Sequence, residues 1–215
     1  MKAQTQAVTA VMITGIMVGT IAAVYVWGTP LLEKRESQAQ VDQVESDVIG
    51  LKQEIESVSN AGTNSGSEID LRLQKGDVYV NETGNYIDIT ASTSTSRYPQ
   101  DSWRLLDGNS LQGLSFASGD YGIRGQDSSG VVAVTSQGSE AQVTYRIEFR
   151  NLLDERFSEP EIQLTDLKTS GAERSTGETT ISVVNQGEET DENSFELQTG
   201  EQIDRKRTVV EVSLQ

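Results

Sequence analysis

Few side chains in this sequence could do chemistry, and their types narrow the choice quickly. There is no histidine and no cysteine. The first absence removes the side chain that most often serves as general base, zinc ligand and pH switch. The second removes disulfides and thiolate metal sites. Four acidic residues stand together at Glu188, Glu189, Asp191 and Glu192. Oxygen-rich loops bind calcium when the oxygens follow a ligand spacing. This spacing matches no established calcium loop, and the cluster reads as the solvated tip of a hairpin. Asn81-Glu82-Thr83 is an acceptor sequon for N-glycosylation at Asn81. It follows a short alternating stretch, where a turn would expose it. No Gly-rich phosphate loop and no nucleophile elbow is present. Serine is abundant, so a Ser–Lys dyad would need only a fold that assembles it, but no local motif marks one. The residues supply no catalytic group, no metal ligand set and no cofactor motif. We therefore expect no enzyme and no small-molecule substrate.

Charge excludes further partners. The 215-residue chain has a formal net charge of -16. Binding nucleic acid or anionic headgroups needs a basic patch, so neither is expected. Arginines outnumber the few lysines. Salt screens self-repulsion, so the acidic excess fits either a halophilic protein in brine or an acidic surface kept soluble by its charge.

One element must carry everything else. Residues Ala7 to Trp27 hold no charged side chain. At about 1.5 Å per helical residue, that run matches a hydrocarbon core of about 30 Å. Tyr25 and Trp27 stand at its far end, where amphipathic rings favour the membrane interface. Thr29 can cap, and Pro30 can open, a second helix. Glu33-Lys34-Arg35-Glu36 marks the return to water. Three readings fit this segment: a cleaved signal peptide, an uncleaved anchor, or an apolar helix released from a short leader. Against the first stand an n-region of only Met1-Lys2, a long apolar run and a poor cleavage site near Ala22.

The third reading rests on Lys2-Ala3-Gln4, set directly before the apolar run. That junction resembles the class III signal peptide of archaeal type IV pilin-like proteins. The resemblance covers roughly the first thirty residues. It implies a cut between Ala3 and Gln4 by a prepilin-type peptidase, with the apolar segment kept in the mature protein. Many pilins carry Glu at the fifth mature position; here it is Val8.

Val41, Val44, Val48, Leu51, Ile55 and Val58 then recur at spacings of three and four, a heptad stripe with β-branched residues at a. Asp47 and Lys52 fall at g and the following e, where parallel partners could pair them, at roughly 0–1 kcal/mol. The stripe fits a helix–helix seam between copies, and it equally fits packing on the chain's own β domain.

Residues 59–68 form a Gly/Ser/Asn linker. Beyond it the period changes to two: Ile69, Leu71 and Leu73; Val78 and Val80; Ile87 and Ile89; Val143, Tyr145, Ile147 and Phe149. Ile162 and Leu164, Ile181 and Val183, Phe195 and Leu197, and Val210, Val212 and Leu214 continue it. Val131-Val132-Ala133-Val134 reads as a central strand, and Asn151 to Phe157 as a short helix or loop. Tyr98 and Trp103 read as core or linker-packing residues rather than a contact surface. Many short strands without helices between them predict an antiparallel sandwich.

The expected organisation is a leader at 1–3, an apolar transmembrane or pilin-like helix at 4–32, a helical stalk at 33–58, a linker at 59–68 and a β-sandwich head at 69–215. The expected function is a cell-surface structural protein, a pilin-like subunit that self-associates through its N-terminal helix. The alternative is a single-pass surface binding or adhesion protein, dimeric through its stalk. In either case the membrane is a partner and the head lies outside the cell or on a surface filament.

Overall fold

The computed structural model describes residues 2–93, 98, 100, 102–107, 121–137, 142–155, 160–197 and 199–215, with backbone alone at 2–10, 33, 37 and 74. The first element is a single helix, α1 (Lys2–Asn60). The expected restart at Thr29-Pro30 does not occur. Pro30 lies inside the helix, and Thr29 turns its hydroxyl back onto the Tyr25 carbonyl at 2.8 Å. Proline deletes one backbone bond, and long helical continuity on both sides carries the turn through.

The period-two stretches become strands: β1 (Gly66–Asn81), β2 (Tyr86–Ser92), β3 (Arg104–Asp107), β4 (Tyr121–Ile123) and β5 (Gly130–Gln137). They continue as β6 (Gln142–Phe149), β7 (Asn151–Asp154), β8 (Glu161–Thr169), β9 (Arg174–Glu196) and β10 (Gln202–Leu214). Asn151 onward, expected as a helix or loop, is therefore strand as far as Asp154. All ten strands join one sheet in the order β3-β5-β6-β2-β1-β9-β10-β8-β7-β4. The pairing is antiparallel except at β8–β10 and β4–β7.

That order bends back on itself. Only Arg150 separates β6 from β7, yet β7 pairs with β8, four strands beyond β2. Asn85, in the turn after β1 with φ of 55°, ties the ends together. Its amide donates to the carbonyls of Phe149 (2.9 Å) and Thr165 (2.8 Å), and its side-chain oxygen accepts the Leu167 N–H at 2.8 Å. Between Arg72 and Asp77 the β1–β9 register shifts, pairing with β2 begins at Gly76, and a Cβ there would run into the Thr90 carbonyl oxygen. The head is the β-rich domain the alternation predicts. The stripe of α1 packs into its core.

The heptad residues supply that packing. Val48, Leu51 and Ile55 are fully buried, with Val41, Val44 and Val58 nearly so, in one cluster with Val78, Ile89, Tyr145 and Ile181. Burying a large apolar side chain is worth about 1.5–3 kcal/mol. Six such burials outweigh any exposed helix pair. The stripe is thus buried in the same chain and forms no free seam here. Lys52 is likewise not an exposed pairing position. It is 5% exposed, and its Nζ sits 2.9 Å from Asp107 Oδ2 and 3.3 Å from Glu56 Oε2. Glu56 also accepts the Ser129 hydroxyl and the Gly130 N–H, at 2.7 and 2.9 Å. Asp47 instead accepts from Gln43 within the helix.

The expected linker is a bonded corner. Ser59 and Asn60 close the helix, and β1 starts at Gly66. Between them Asn64 N–H donates to the Asn185 carbonyl (2.7 Å), Asn185 N–H to the Ser65 carbonyl (2.8 Å), and Ser65 Oγ to the Val58 carbonyl (3.0 Å). Gly, Asn and Ser are there because the corner needs left-handed backbone at Gly62 and Asn64 and short side-chain bonds. Stalk and head are therefore one folded unit from Val41 onward.

Candidate functional site

The feature that most needs a function is the first half of α1. From Val11 to Leu32 its large apolar side chains stand clear of the head, from 48% exposed at Ile13 to 84% at Trp27. No Asp, Glu, Lys or Arg interrupts 11–32. Thr20 donates its hydroxyl to the Ile16 carbonyl at 2.8 Å, as Thr29 does to that of Tyr25. Hydroxyls folded onto the helix leave no donor seeking water, which suits a dry surrounding. Lys34, Arg35 and Glu36 follow, all exposed. The helix is long and apolar enough to cross a membrane. Its two halves have opposite fates because their patterns differ: apolar all round before Leu32, apolar on one stripe after Val41.

Lys2, Ala3 and Gln4 lie in the first turn of α1. Met1 and the side chains of 2–4 lie outside the described residues. Asn81 ends β1 at a turn, as expected. Its Nδ2, the atom a glycan would join, is half-buried and donates to the hydroxyls of Tyr86 (3.1 Å) and Tyr79 (3.3 Å), while its Oδ1 accepts the Gly84 N–H. The acidic cluster is not a hairpin tip. Glu188, Glu189 and Asp191 lie along β9 and meet β10. Lys206 reaches Glu188 at 2.9 Å, and Arg207 reaches Glu189, Asp191 and Asp166 at 2.8–3.0 Å. Among the described residues no three His, Cys, Asp or Glu side chains are placed to hold a metal. Tyr98 packs edge-on against Tyr145 and donates its hydroxyl to Glu45, and Trp103 covers Val131 and Ala133. Both serve packing.

A polar cleft of about 590 Å³ opens beside the helix end, lined by Ser59, Asn60, Arg124, Gln163, Lys206 and Thr208 among others. Its charges are matched within the protein, Lys206 by Glu188 and Arg124 by the buried Asp154 at 3.6 Å.

Sequence reasoning missed a cluster on the outer sheet face. Arg146 binds Asp88 through two 2.6 Å bonds, with its guanidinium carbon 3.7 Å from the Tyr86 ring centroid. Beside it, burial pushes the Glu148 carboxyl up to about 7, with Arg146 opposing and Asp88 reinforcing the shift. The outward alternation of β2 and β6 marked these positions as a shared face, but their cross-strand register was not legible.

No curated protein and no solved structure matches the chain. A family model does, over residues 2–207, taking in the apolar helix, the buried stripe and nearly all of the sheet. The chain belongs to that family, DUF7289, described as a family of unknown function.

Proposed function

We propose that this protein is a cell-surface structural subunit of the type IV pilin-like kind, held in a membrane or a filament core by residues 4–32 and displaying its β head outside the cell. The observation that carries this reading is the division of α1. One continuous helix offers an exposed apolar rod at its start and a core-packing stripe at its end. A helix of that form suits any dry environment, lipid or a bundle of its own copies, because its backbone bonds are internal. The Lys2-Ala3-Gln4 junction ahead of the rod supports processing by a prepilin-type peptidase. The acidic composition supports a high-salt habitat, as in halophilic archaea.

N-terminal sequencing of protein from the cell surface tests the reading. A mature chain starting at Gln4 supports it. A start at Met1 would point to a resident single-pass surface protein, and a start near Val24 to a secreted one. Protease added to intact cells should remove the head. Full protection in cells stripped of any surface layer would reverse the topology.

A further inference from the structure

On the outer sheet face, among the described residues, a buried carboxyl has one oxygen without a hydrogen-bond partner. Glu148 of β6 stands opposite Tyr86 on β2 and Val131 on β5. It is 9% exposed, and its Oε2 has no hydrogen-bond partner. Two residues earlier on the same face, Arg146 is bound at both ends by Asp88 and lies 5.0 Å from the Trp103 ring centroid as well as against Tyr86. Trp103 and Leu105 in turn cover Val131 and Ala133. A buried carboxylate without donors is costly, whereas its neutral form is not.

We propose that Glu148 is a proton-binding site that sets how firmly the Trp103 segment, residues 102–107, is held on the outer face of the sheet. With the proton bound, the neutral carboxyl rests beside Val131, and Arg146 stays with Asp88 between the Tyr86 and Trp103 rings. When the proton leaves to solvent, Glu148 becomes a second anion competing for the same guanidinium. Movement of Arg146 toward it weakens the Asp88 pair and withdraws the cation from the Trp103 ring. Among the described residues, the titratable and charged groups facing Glu148 are Arg146 on its own strand and Tyr86 and Asp88 on β2; β5 contributes Val131 and Ala133, and β3 contributes Leu105. Arg150, just beyond the end of β6, is held by the Ser128 carbonyl and Asp127. The burial-raised carboxyl places the transition near neutrality.

The chain has two tryptophans, Trp27 and Trp103. In full-length Trp27→Phe protein in detergent micelles, Trp103 emission should therefore shift sigmoidally, with a midpoint near 7, in a titration from about pH 5 to about pH 9. Adding Glu148→Gln should hold the low-pH spectrum throughout. A flat titration of the parent, or an unchanged midpoint with Glu148→Gln, overturns the proposal. The Glu148 carboxyl ¹³C shift gives a measurement that needs no variant at this position. Titration near the usual carboxylate range in the folded protein overturns it too.

Discussion

Asn185 of β9 donates its side-chain amide to the carbonyl oxygen of Val58 at 3.1 Å, across 127 positions of sequence. The same amide reaches the Ser59 carbonyl at 3.1 Å, and its oxygen accepts the Gly187 N–H at 2.7 Å. A bulge in the β9–β10 ladder aims it there, since Val210 faces Asn185 while Val209 faces Gly187. The last carbonyls of a helix need partners, and α1 has no basic residue in its final turn. Asn185→Ala should cost about 1–3 kcal/mol, the range for leaving buried backbone groups unpaired. Asn185→Asp should cost more, because it sets an anion at the negative end of the helix. Urea midpoints of the three proteins check this; equal midpoints for Asn185→Ala and wild type would count against the cap.

Leu51 tests the two uses of the heptad stripe. It is fully buried in the head. Leu51→Ala should lower head stability by about 2–5 kcal/mol through lost contact and a residual cavity. A seam between copies would instead lose oligomer mass on sizing while the head melted unchanged.

Lys52 ties α1 to the sheet through Asp107 of β3 and pairs with Glu56 one turn along its own helix. Lys52→Ala removes the cation and the packed stem together. Losing one partner of a fully buried pair costs about 3–5 kcal/mol. Asp107 is 36% exposed on its side chain, so about 1–3 kcal/mol is expected after allowing for solvent screening. Lys52→Met keeps the stem and should lose less. A Met variant as unstable as the Ala variant would assign the effect to charge alone.

Stability should also depend on pH in a direction set by Glu148. Its folded-state value is raised to about 7, so its contribution is fully present below the unfolded value near 4.5 and is lost as pH rises through 7. The linked loss is on the order of 3 kcal/mol. Glu82 works the other way. Bonds from Thr169 lower its carboxyl, so its contribution is present above the ordinary range and lost as pH falls. Denaturation of wild type and Glu148→Gln at mildly acid and mildly alkaline pH should show the variant gaining relative stability on the alkaline side. No change in their difference between the two would refute the assignment.

Strand positions and the apolar rod were legible because each depends on local pattern: Ile87 and Ile89, or Val143, Tyr145, Ile147 and Phe149, point inward wherever the sheet goes. The stripe from Val41 to Val58 was legible as buried, but not as buried in its own chain, since a seam and a core face share the a/d spacing. The linker misled because Gly62, Asn64 and Ser65 have the composition of flexible chain, while their bonds to Asn185 and Val58 come from residues distant in sequence. Glu148 was legible only as an outward position of its strand. Its environment is made by Tyr86 and Val131 from neighbouring strands, and only the register brings them together.

The place of β10 in the sheet has a consequence for how the protein is made. The strand occupies the interior of the sheet, bonded to β9 on one side and β8 on the other. Until residues 202–214 leave the ribosome, β8 and β9 each present an open edge, and Val210 and Val212 are missing from the core. Domains made early in synthesis usually fold first. Here α1 is the first element to emerge and the head the last to close. The sheet therefore cannot close before β10 is made, and the exposed edges of β8 and β9 need protection during that interval.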